Sequence, residues 1–220
     1  MSSAPIVSPD AVDRTINAFT RLDQKGDKKA MGKLAARLQR EQPFLLQYAA
    51  RLRGEHGDTV GEAAVFYATL VWSMYDRLGD DTLPRLTQGN LDAAEKIVTE
   101  ALAADPSFAD KAPYERTLPT LMTRQPHIFA KLRELLEEDV REAAMTAETC
   151  AAIIVPTQVV VQARDAALAG TRPGQAQGPV AGEATVGREH HDADLADVGG
   201  LAQQRVRHLG TARSKVGDDA

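Results

Sequence analysis

The chain has 220 residues, 43% hydrophobic and 26% charged, enough to fill one core with chain to spare. Its 31 acidic against 26 basic side chains leave a net charge of -5, which argues against a protein that coats nucleic acid, since phosphate binding draws on a basic footprint. The single cysteine, Cys150, excludes an internal disulfide and a cysteine-rich zinc site; with no basic and apolar leader at the start, it points to a reducing, cytoplasmic setting.

Ser8 before Pro9 is a helix start, because the serine oxygen can accept from orphan amides and proline loses nothing in the first turn. Val12, Ile16, Phe19 and Leu22 then fall at helical spacing over 9–23. After the Lys25-Gly26-Asp27 turn a second helix places Ala30, Met31, Leu34 and Leu38 on one face. Gln42-Pro43 breaks and restarts the chain, because the residue before proline is pushed out of helical angles. A third helix follows with Phe44, Leu45, Tyr48, Ala49 and Leu52, closed by 54–58.

The fourth segment, 60–78, is apolar on nearly every side, as expected of a helix in the middle of a bundle or at a dimer interface. Asn90 is read as the cap of a fifth helix over 91–104, and a loop with a short helix fills 106–123. Gln125-Pro126 then repeats the earlier break and opens a helix with Ile128, Phe129, Leu132, Leu135 and Leu136. The last helix, over 146–168, contains Pro156 among β-branched residues that would also suit a strand. A lone strand would have no partner, so a kinked helix is expected. The apolar runs 63–75 and 150–161 are shorter than the roughly 20 residues that span a bilayer, so no membrane association is expected.

Gln42 and Gln125 stand 83 positions apart, and the same offset pairs Leu38 with Leu121, Pro43 with Pro126, Leu52 with Leu135, Glu55 with Glu138 and Ala68 with Ala151. The expected fold is therefore all-α, a compact bundle of seven or eight helices over 8–169, with two related halves as one reading of the echo. From 170 to 220 there is no aromatic residue and glycine recurs, so a disordered tail is expected, with a short helix near 201–209.

Lys29, Lys33, Arg37 and Arg40 are spaced by four, four and three along the second helix, a basic stripe that could meet an acidic or phosphate-bearing partner or stand as a solvated face. Tyr67, Trp72 and Tyr75 could line a small-molecule pocket or pack as core. Glu134, Glu137, Glu138, Asp139 and Glu142 read as the solvated side of their helix, able to pair with the basic stripe of a second copy. Glu189, His190, His191, Asp192 and Asp194 have metal-ligand chemistry but sit in a glycine-rich stretch with no preorganisation, so no metal or other cofactor is expected. No phosphate-binding glycine loop and no nucleophile elbow occurs.

Two functional expectations follow. The first is a non-enzymatic interaction or regulatory protein that binds a protein partner through Lys29, Lys33, Arg37 and Arg40, with a homodimer through the fourth helix as one form of it. The second is a ligand-binding or catalytic bundle with its pocket at Tyr67, Trp72 and Tyr75.

Overall fold

The computed structural model describes residues 4–78 and 83–170, so the tail predicted beyond 170, with its helix near 201–209 and the 189–194 histidine and acidic group, lies outside the described residues. Among the described residues there are eight α-helices and no strand: α1 (Pro9–Gln24), α2 (Lys28–Glu41), α3 (Pro43–His56), α4 (Asp58–Tyr75), α5 (Gln88–Ala103), α6 (Pro119–Arg124), α7 (Pro126–Arg141) and α8 (Ala147–Gly170). Two short 3-10 turns, Pro106–Phe108 and Pro113–Glu115, stand between α5 and α6.

Most helix starts follow the proline and cap rules. Ser8 Oγ accepts the Ala11 amide and Asp27 accepts that of Ala30. The fifth helix begins earlier than its spacing suggests. Thr87, not Asn90, is its cap: Thr87 Oγ1 accepts the Asn90 amide, while the Thr87 amide donates back to Asn90 Oδ1 at 3.0 Å, a capping box closed by asparagine. Around Pro156 the chain stays helical; Thr157 Oγ1 donates to the Ile153 carbonyl and Gln158 Nε2 to that of Ile154, so side-chain donors reinforce the turn that proline weakens.

The core is one cluster centred on α4 and α8, which pack on each other. α1 packs on α4 as α5 packs on α8, and each also crosses to the other half, α1 to α7 and α5 to α3. α4 is thereby enclosed by α1, α3 and α8, and its apolar surface is spent inside the chain rather than left for a dimer.

The echo at the two Gln-Pro steps has a geometric counterpart. Gln42 and Gln125 adopt nearly the same backbone angles, -138° and 56° against -130° and 61°, and both donate their amides four residues back, to Leu38 and Leu121. Both side chains are buried and do the same work. Gln42 Oε1 accepts the Leu86 amide at 3.0 Å and its Nε2 donates to the Pro84 carbonyl at 3.3 Å. Gln125 Oε1 accepts the Val7 amide at 3.0 Å and its Nε2 donates to the Pro5 carbonyl at 3.0 Å. Each glutamine thus grips an extended segment by alternate backbone groups, as a neighbouring strand would.

The grip is exchanged between halves. Gln42 of the first half holds the segment leading into α5, and Gln125 of the second half holds the segment leading into α1. Pro5, Val7 and Ser8 correspond to Pro84, Leu86 and Thr87, with Val7 and Leu86 both fully buried. Gln158 repeats the device on a third segment, accepting from the Leu118 amide and donating to the Arg116 carbonyl, both at 2.8 Å.

The halves differ most between their first helix and their glutamine. The first half has α2, fourteen residues of continuous helix; the second has the two 3-10 turns and the six-residue α6. Gly32 in α2 and Gly54 in α3 have open space where a Cβ would stand. Gly32→Ala and Gly54→Ala should each raise stability by about 0.5–1 kcal/mol, by removing backbone freedom from the unfolded chain. Urea denaturation checks this, and a loss in either variant would mean that the glycine answers a contact rather than filling a helix.

Candidate functional site

α2 is amphipathic. Met31 and Leu38 are buried, while Lys29 and Lys33 are exposed and make no ion pair among the described residues. Arg40 keeps 74% of its side chain exposed and approaches Glu41 only at 3.6 Å. These three form one exposed cationic face.

Arg37 stands apart from them. Its Nη1 and Nη2 donate to the two oxygens of Asp76 at 2.8 and 2.7 Å, and its Nε donates to Glu41 at 2.8 Å. Its guanidinium also lies 5.0 Å from the centre of the Trp72 ring. The hydrogen bonds to Asp76 and then Glu41 raise its pKa above the ordinary arginine value. This arginine fastens α2 to the end of α4, and its donors are already used.

Tyr67, Trp72 and Tyr75 are all buried to within 1%. Tyr67 Oη donates to Asp139 Oδ2 at 3.0 Å, and Tyr75 Oη donates to Asp165 Oδ1 at 2.8 Å. The two hydroxyls therefore tie α4 to α7 and α8 across the halves. A cavity of about 10 Å³, room for about one water, lies between α3, α4 and α8 beside Tyr48, Leu52, Ala68 and Pro156, away from these three side chains. Of the acidic run on α7, Asp139 is not on the solvated side but in the core under Tyr67. Glu138 has its pKa raised by partial burial and by Glu142. Cys150 is buried.

A second polar centre lies where the C-terminal parts of α4 and α8 meet, and the sequence reading did not single it out. Arg164 is fully buried, and Nη1 donates to the Pro84 carbonyl at 2.5 Å. Asp165 is 2% exposed; its Oδ1 accepts from Tyr75 and from Gln125 Nε2, the latter at 2.9 Å. Burial pushes the Asp165 carboxyl up from the usual carboxylate range and the Arg164 guanidinium down to about 10. Tyr75 is raised well above its ordinary value, by burial first and by Asp165 second.

Five buried polar atoms here and on the neighbouring turn of α4 have no hydrogen-bond partner among the described residues: Arg164 Nε and Nη2, Asp165 Oδ2, Trp72 Nε1 and Ser73 Oγ. Buried polar groups are nearly always paired, so such a concentration is unusual. In the sequence, Arg164-Asp165 is only part of the helix over 146–168; its contacts with Pro84 and Gln125 lie far away in the chain.

No protein-family profile, curated protein or solved structure matches this chain. No described helix is long and apolar enough to cross a membrane.

Proposed function

We propose that this chain is a non-enzymatic, cytoplasmic binding protein that recognises an acidic protein surface through the exposed face of α2. The observation that carries the reading is the exposure of Lys29, Lys33 and Arg40 on the one helix that breaks the correspondence between the halves. Elsewhere the halves share their clamps and their order of elements, so the frame is explained by folding alone. The cationic face of α2 answers no need of the core, and a set of exposed like charges steers and selects an oppositely charged partner. Arg37 contributes differently: it fixes α2 on α4 through Asp76 and so holds the face in place.

The test separates those roles. Charge reversal in the triple variant K29E/K33E/R40E should weaken partner binding roughly tenfold or more. It should leave the circular dichroism spectrum and stability within about 0.5 kcal/mol, as surface substitutions do. Arg37→Glu should instead lower stability, because it opposes one carboxylate with another. Partners captured from native lysate on the wild-type chain and on the triple variant, identified by mass spectrometry, give the binding readout. Sedimentation of the purified chain shows whether the acidic partner is a second copy. Equal capture by both chains would sink the proposal.

A further inference from the structure

We infer that the unpaired edge of the Arg164 guanidinium, enclosed where α4 and α8 meet, is a binding site for one oxyanion of the carboxylate or phosphate type. Nη1 is held by the Pro84 carbonyl, whereas Nε and Nη2 have no partner among the described residues. Those two lie on the same edge of the guanidinium plane, the edge that grips two oxygens of a planar or tetrahedral oxyanion through parallel hydrogen bonds.

Among the described residues, the neighbouring carboxylates Asp76 and Asp165 do not fill that edge. Asp76 has both oxygens occupied by Arg37. Asp165 directs Oδ1 to Tyr75 and Gln125, not to the arginine. Among the described residues, the carboxylate that acts on this cation at zero exposure is Asp76, which is shared with Arg37, and burial outweighs it, an arrangement that a further anion would relieve. A water molecule could satisfy these donors but would bring no charge to offset the burial of the arginine.

The experiment uses the full chain, refolded from urea into Tris chloride buffer so that no oxyanion is carried over. Thermal unfolding is followed while acetate or inorganic phosphate replaces chloride at constant ionic strength. The Tm should rise by roughly 5–10 °C at about a hundred times the dissociation constant, because the anion binds only the folded chain. The anion that acts at lower concentration identifies the source as carboxylate or phosphate.

Arg164→Met, which keeps length without charge, should lose the rise. Arg164→Lys keeps the charge without the two-pronged edge, so it should need at least tenfold more anion, and it serves if the methionine variant does not fold. Two results would each overturn the inference: no rise in the wild type, or an equal rise in wild type and variants, which is the general effect of excluded salts.

Discussion

Replacing Gln125 with leucine should lower the stability of the fold by about 3–5 kcal/mol, on the scale of 1–3 kcal/mol for each buried group left unpaired. The volumes are similar, so the loss comes from hydrogen bonds. Without the amide, the buried Val7 N–H loses its acceptor, the Pro5 carbonyl loses a donor, and Asp165 keeps only Tyr75. Gln42→Leu strands only the Leu86 amide and one donor to Pro84, whose carbonyl Arg164 still serves, and should cost about 2–3 kcal/mol on the same scale. Urea unfolding followed by circular dichroism gives both values. Hydrogen exchange should show the Val7 amide losing protection in the Gln125 variant before the helices do. A cost below about 1 kcal/mol would mean that the segment before α1 is held by burial of Val7 alone.

The helices were legible because their signals are local. Ser8-Pro9, Gln42-Pro43 and Gln125-Pro126 mark starts that the structure keeps, and the spacing of Leu45, Tyr48 and Leu52 gives the buried face of α3. The fifth helix was placed late because Asn90 has good capping chemistry in either role, and only its bond back to the Thr87 amide shows that it is the third helical residue. The clamps were out of reach for a different reason. Glutamine before proline announces a break, but nothing nearby tells that its amide grips a segment 118 positions away. The shared offset was the one trace of it.

The same limit governed the candidate residues. Lys29, Lys33 and Arg40 are exposed, as a helical stripe opposite Met31 and Leu38 should be. Arg37 lies on that stripe by spacing, yet Asp76 comes to meet it from the end of α4, a contact set by tertiary packing. Asp139 was assigned to the solvent among four glutamates and is instead the acceptor for a core tyrosine. In each case a charged side chain read as a surface feature has a partner supplied by another helix. Charge patterning alone separates faces; it does not find such pairs.

Gly61→Ala should cost about 3 kcal/mol, the upper part of the usual range for overpacking, and lower the Tm by roughly 6–12 °C for a chain of this size. α3 and α4 are joined by Gly57 alone, at a φ of 87° that glycine adopts without strain, so the helices leave the turn already close. They cross where Gly61 faces Arg53. A Cβ there would meet Arg53 Cβ and would come within 2.8 Å of Arg53 Cα, which is backbone and cannot rotate away. The α3–α4 pair would have to part along a core that includes Leu52 and Val60. Partner binding through α2, measured below the lowered Tm, should survive, because the strain lies on the far side of the Gln42-Pro43 break from the cationic face. A Tm within about 2 °C of wild type would mean that the pair separates at little cost and that their close approach does not help to fix the bundle.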